Sequence, residues 1–139
     1  MFHTLIIVGN LGRDPEMRYT PNGQAVTSFS MASTRKYTGS DGQSVDETTW
    51  FRVSVWGKMA EVCNNYLQKG SKVLVEGRLI PDRSTGSPRI WNRSDGTPGA
   101  SFEVSAAVVR FLSSRGEATA SGDTSSLESP SPGDEDIPF

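Results

Sequence analysis

The chain has 139 residues, room for one domain and a tail. Its single cysteine, Cys63, excludes an intrachain disulfide and points to a reducing cytoplasm, and its longest apolar run, Leu5 to Val8, is far too short to span a bilayer. The formal charge of −2 is unevenly spread: residues 1–113 hold 13 Lys/Arg against 10 Asp/Glu, a net of +3, whereas residues 114–139 hold one Arg against 6 acids, a net of −5. A mildly basic body suits an anionic ligand, and the acidic tail could compete for the same surface.

Along the chain, His3 to Gly12 reads as a strand, with Gly9, Asn10 and Gly12 marking a bend where the apolar run ends. Arg13 to Tyr19 continues in extended form, broken by Pro15, and Pro21-Asn22-Gly23 is a turn. Ala25 to Thr34 is a second strand, in which Thr27, Phe29 and Met31 alternate with Val26, Ser28, Ser30 and Ala32. Tyr37 to Asp46 reads as a polar hairpin loop and Thr48 to Trp56 as a third strand. Met59, Val62, Cys63, Tyr66 and Leu67 are spaced as one face of a helix over 59–67, with Gly70 as its C-terminal glycine. Ser71 to Ile80 is a fourth strand, Pro81 to Gly99 a long loop expected to be mobile at its tip, and Ser101 to Leu112 a fifth strand. From Ser114 onward the chain is a low-complexity linker.

Five strands with one short helix between the third and fourth fit an all-β fold, a five-stranded Greek-key barrel of the OB type followed by a disordered C-terminal tail. The expected units are a barrel domain over 1–113, a linker over 114–133 and a tip over 134–139.

The third strand carries the strongest chemical signal. Phe51, Val53 and Val55 fall on one face, which is core, while Trp50, Arg52, Ser54 and Trp56 fall on the other. Two exposed indoles flanking a guanidinium suit a stacking platform for bases, with Arg52 on a phosphate. The same face could instead pack in a subunit interface. Arg35, Lys36 and Tyr37 begin the first long loop, and Arg89, Trp91 and Arg93 interleave in the second. Cations alternating with aromatics suit a nucleic-acid single strand, because every base has a π-face and every linkage a charge. Lys58, Lys69, Lys72 and Arg78 could extend the track, although each alone reads as a surface cation.

The tip Asp134-Glu135-Asp136-Ile137-Pro138-Phe139 runs three carboxylates into an apolar end. It reads either as a peptide for an apolar pocket with a basic rim on another protein or as a solvated acidic tail. Catalytic signals are weak. Asp14/Glu16 and Asp46/Glu47 lie beside arginine or in a loop, with no His or Cys at metal spacing. His3, the only histidine, sits at the frayed N-terminus, and Cys63 reads as buried packing. No catalytic residue, metal or cofactor is expected.

Several stretches together resemble the bacterial single-stranded DNA-binding protein (SSB) family. They are Ile7 to Glu16, Arg18 to Gly23, Thr49 to Val53, Trp56 to Glu61, Tyr66 to Ser71, Val75 to Leu79 and the acidic tip. The resemblance implies an OB barrel, a homotetramer, and binding of single-stranded DNA with little sequence preference. It implies stacking at Tyr37, Trp50, Trp56 and Trp91, and docking of replication, repair and recombination proteins on the tip from Asp134 to Phe139. It further implies a cytoplasmic, nucleoid-associated protein with no enzymatic activity. The chain departs from the family's pattern at Phe51, where many members carry histidine, and in its longer 81–99 loop and short linker. The alternatives are an OB-fold protein adaptor with weak or no DNA binding and an RNA binder.

Overall fold

The computed structural model describes residues 1–113; the expected linker and tip lie outside them. The elements in chain order are β1 (Leu5–Leu11), β2 (Glu16–Tyr19), β3 (Ala25–Thr38), β4 (Ser44–Trp56), α1 (Lys58–Tyr66), β5 (Lys72–Leu79), β6 (Arg89–Asn92) and β7 (Pro98–Phe111). Strands pair in the order β1-β5-β7-β4-β3-β2, and β1 also pairs with β3. That second pairing closes five strands, β1, β3, β4, β5 and β7, into a barrel. All pairings are antiparallel except β4 with β7, where Phe51 to Ser54 run parallel to Phe102 to Ser105. The barrel and its helix after β4 are as the sequence predicts.

Alternation builds the core. Ile7, Leu11, Phe29, Met31, Val53, Val55, Val73, Val75, Val104 and Val109 point inward and are buried. Each fully buried valine contributes about 1.5–3 kcal/mol relative to exposure. The helix seals one end with Ala60, Cys63 and Leu67, and the buried Thr27 hydroxyl donates to the Ala60 carbonyl at 2.6 Å. This corrects the expected helix face: Met59 and Tyr66 are exposed, because the inward face is rotated onto Ala60 and Cys63. Gly70 is not the helix C-cap. Leu67 holds that position with its N–H on the Cys63 carbonyl, and Gly70, at φ +89°, turns the chain into β5.

Two glycines allow the strands to close. β1 does not bend away at Gly9; it passes from β5 to β3, pairing Asn10 with Ala32 and Leu11 with Met31. A Cβ on Gly9 would overlap the Ala32 carbonyl oxygen, and one on Gly77 would overlap that of Ser105, beside the irregularity in the β5–β7 ladder.

Other differences lie at the periphery. β3 and β4 run on to Thr38 and Ser44, so the expected loop over 37–46 is a paired arm with a tight turn at its end. The 81–99 loop contains β6, whose Arg89 to Asn92 pair with Pro98 to Ser101 of β7 in a hairpin. In that segment Ser84 and Thr97 donate to the carboxylates of Asp82 and Asp95, holding both below the usual aspartate range. His3 is tied down as well, its Nε2 accepting from the Leu79 N–H at 3.2 Å.

Burial pushes the Cys63 thiol from 9.0 up to about 11. Across that window the folded chain keeps a proton that the unfolded chain loses, so stability falls as pH rises from 9.0 towards about 11. Urea midpoints measured between pH 8 and 11 should decline less steeply in Cys63→Ala than in the parent chain.

Candidate nucleic-acid interface

β4 pairs with β3 along its length, and their outward rows lie side by side. Ala32 faces Trp50, Ser30 faces Arg52, Ser28 faces Ser54 and Val26 faces Trp56. Ser28, Ser30 and Ala32 are small, so nothing from them rises between the larger β4 side chains. Across the other edge of β4, Arg52 is in register with Glu103 and Ser54 with Ser105, and Ser105 in turn with Arg78 of β5. A floor of Ser28, Ser54 and Ser105 therefore crosses the barrel. Trp50 is 55% exposed and Trp56 45%, so neither indole serves the core.

A cleft of about 740 Å³ lies over this floor. Its walls bring together Arg18 of β2, Arg52 and Trp56 of β4, Arg78 of β5, and Arg89 and Trp91 of β6. Glu103 is the one carboxylate among the lining residues, against four guanidinium groups. A smaller hollow of about 130 Å³ shares Ser28 and Arg52 with the cleft and adds Arg13, Asp14, Glu16 and Ser30. Past Arg52, towards the end of β1, one further guanidinium is therefore set among two carboxylates, and the net basic charge stays in the cleft.

The expected residues are not all in one place. Arg52, Trp56, Arg89 and Trp91 line the cleft. Trp50 lies outside it, its ring edge against Gly12 at the end of β1. Arg93 is stacked beside Trp91, its guanidinium 5.3 Å from the ring centroid and donating to the Pro98 carbonyl at 2.6 Å. Arg35, Lys36 and Tyr37 lie on the arm. The alternation of the ladder puts Lys36 in the row of Trp50, opposite Asp46, and puts Arg35 and Tyr37 in the other row. Arg35 sits 4.7 Å from the Tyr37 centroid and 3.8 Å from a Glu47 oxygen. These three residues are not brought to the cleft.

Sequence reasoning passed over Arg18, a lone cation on a four-residue strand beside Pro15. The signal that would have found it is register, because Arg18 is opposite Val26, which is opposite Trp56. Arg78 lines the cleft, unlike Lys58, Lys69 and Lys72. Two of the four carboxylates in the candidate pairs have structural partners: Asp14 accepts from the Lys69 N–H at 2.8 Å, and Glu47 faces Arg35. Among the described residues no cluster of three His, Cys, Asp or Glu side chains could hold a metal ion. No helix among them is long and apolar enough to cross a membrane.

Residues 2–112 match the model of the single-strand binding protein family. A single-stranded DNA-binding protein of Wolinella succinogenes is 38% identical over 116 residues, covering 84% of this chain and 67% of the relative. One from Xanthomonas axonopodis is 41% identical over 113 residues, covering 81% and 59%. The chain thus spans about two thirds or less of these relatives' own length. Among solved structures, the small single-stranded DNA-binding protein of Streptomyces coelicolor superposes with a TM-score of 0.64 at 25% identity, covering 78% of this chain and 93% of that one. The barrel, the row of indoles and arginines and the match over 2–112 have one common explanation: this chain belongs to the single-strand binding protein family.

Proposed function

We propose that this chain binds single-stranded DNA, largely independently of sequence, by stacking bases on its indoles and neutralising phosphates with its arginines. The observation that carries this reading is the cleft, where four guanidinium groups and two indoles surround a floor of small hydroxyl side chains. Bases laid on Trp56 and Trp91 gain stacking energy whatever their identity. Arg18, Arg52, Arg78 and Arg89 displace counterions from the backbone. The action is binding alone, which protects bare strands and opens hairpins, and it places the protein with the nucleoid in the cytoplasm. A protein adaptor would have no use for two indoles above four arginines.

Two of the three tryptophans line the cleft and the third, Trp50, shares the outward row of β4 with Trp56, so fluorescence reports this face directly. Oligo(dT) should quench strongly and duplex DNA weakly, with a slope of log affinity on log salt near −0.7 per neutralised phosphate. Trp56→Ala should weaken binding by about 1–3 kcal/mol, the range general to OB-fold proteins of this kind. Arg78→Ala should make the salt slope shallower by about 0.7. Equal affinity for duplex, or no quenching at low salt, would overturn the reading.

The tip from Asp134 to Phe139 is proposed to dock replication, repair and recombination proteins, its acids meeting a basic rim and its apolar end a pocket. The same acids compete for the protein's own arginines. Deleting 134–139 should therefore leave DNA affinity unchanged or higher while abolishing capture of such partners; weaker DNA binding in the truncated chain would count against this.

Assembly into a homotetramer is proposed on the exposed apolar surface of β1. Ile6 is 61% and Val8 42% exposed, and Val8 is in register with Leu74 of β5. Light scattering should give a mass four times that of the chain, and Ile6→Asp/Val8→Asp should lower it while far-UV circular dichroism is retained. A monomeric parent chain would refute the proposal.

A further inference from the structure

We infer that Gly12 and Gly99 are positioning residues for the two indoles Trp50 and Trp91. Each glycine leaves open the space its indole occupies, and a methyl group there would displace the ring rather than the backbone. The inference rests on the proposed stacking of bases and adds what holds the platform in place.

The contacts differ in kind. A Cβ on Gly12 would lie 2.6 Å from Cζ3 and 2.8 Å from Cη2 of Trp50, with Cε3 at 3.8 Å. Two close atoms and a third well beyond them describe the outer edge of the six-membered ring. Trp50 thus reaches from β4 past Ala32 and abuts the backbone at the end of β1. A Cβ on Gly99 would lie 2.9, 3.0 and 3.1 Å from Cη2, Cζ2 and Cζ3 of Trp91. Three consecutive ring carbons at nearly one distance describe the ring's face, because an edge-on approach would leave the outer two much farther than the central one. Trp91 therefore lies flat over its register partner Gly99. Its Nε1–H donates to Ser101 Oγ at 3.0 Å, which fixes the ring's rotation.

Neither glycine has a left-handed backbone, unlike Gly23, Gly42, Gly57, Gly70, Gly86 and Gly96. Alanine therefore suits the backbone at both positions, and the nearest atoms its methyl group would meet all belong to the indole. The indoles are 55% and 41% exposed, so each can swing into solvent when pushed. Among the described glycines none has Trp56 among the nearest atoms a Cβ would meet.

The test is a set of double-mutant cycles read by oligo(dT) titration, with near-UV circular dichroism reporting the indoles. Gly12→Ala and Gly99→Ala should keep the parent far-UV spectrum, change the near-UV spectrum and weaken binding about 5-fold or more, approaching the loss of a stack. In a Trp50→Ala background Gly12→Ala should add no further loss, and in Trp91→Ala the same should hold for Gly99→Ala. Parent-like affinity in either glycine variant, or an equal loss when its indole is already gone, would overturn the inference for that position. Should Gly12→Ala fail to fold, Gly12→Ala/Trp50→Phe restores room at the ring's outer edge and must bind as Trp50→Phe does. If Trp50→Ala and Trp91→Ala themselves leave affinity unchanged, it is the stacking reading that fails, and the near-UV change alone then decides whether the glycines seat the rings.

Discussion

Everything on the outer surface depends on the closeness with which β1 approaches β3. The strand passes from β5 to β3 at Gly9, where no side chain fits against the Ala32 carbonyl. Gly77 permits the matching approach to Ser105 on the other side of the barrel. Closure leaves a narrow interior, filled by the valines of β4, β5 and β7 with Phe29 and Met31. Alternate residues of β4 are then committed inward, and Trp50, Arg52, Ser54 and Trp56 have nowhere to go but out. The outward direction of these side chains follows from the closure.

The same economy shapes the cleft. β3 contributes Ser28, Ser30 and Ala32 to the outer surface, and β4 and β7 contribute Ser54 and Ser105. These side chains are too short to fill the space between Trp56, Trp91 and the arginines. Hydroxyls also keep the floor wet, which lowers the cost of leaving it uncovered. The arginines lose little by standing in water, and their repulsion is eased by Glu103 in register with Arg52. A planar guanidinium can both pair with a phosphate and lie on a ring, which a lysine ammonium does less well.

Period-two patterning made β3 and β4 legible and, through them, the core and the row of two indoles around Arg52. Turn chemistry made Pro21-Asn22-Gly23 legible, with Gly23 at φ +80°. What stayed hidden was set by partners distant in sequence. β6 is four residues long and entirely exposed, so it has no burial pattern to read; only Pro98 to Ser101 of β7 makes it a strand. Arg18 joins the cleft through the register of β2 on β3. Arg35 and Tyr37 fall in the other row from Trp50 because the β3–β4 pairing, and with it the alternation, continues to Thr38 and Ser44, where polar composition suggests a loop. The helix face was misjudged because Met59 and Tyr66 are apolar enough to suggest burial, whereas the small Ala60 fits the tight seal over Thr27.

The proposed indifference to base sequence has the same geometric basis. Telling one base from another takes donors and acceptors held in fixed pairs against the base edge, as a side-chain amide provides for adenine. No Asn or Gln is found among the residues lining the cleft. The serine hydroxyls of the floor donate and accept alike, so they tolerate any edge. Arginine can pair with guanine, but Arg18, Arg52, Arg78 and Arg89 stand on four different strands of an open cleft, where the phosphates are the stronger partners. A ring face, by contrast, accepts every base. On the proposed reading, such a surface holds the strand by its charge and its stacking, and leaves the order of bases unread.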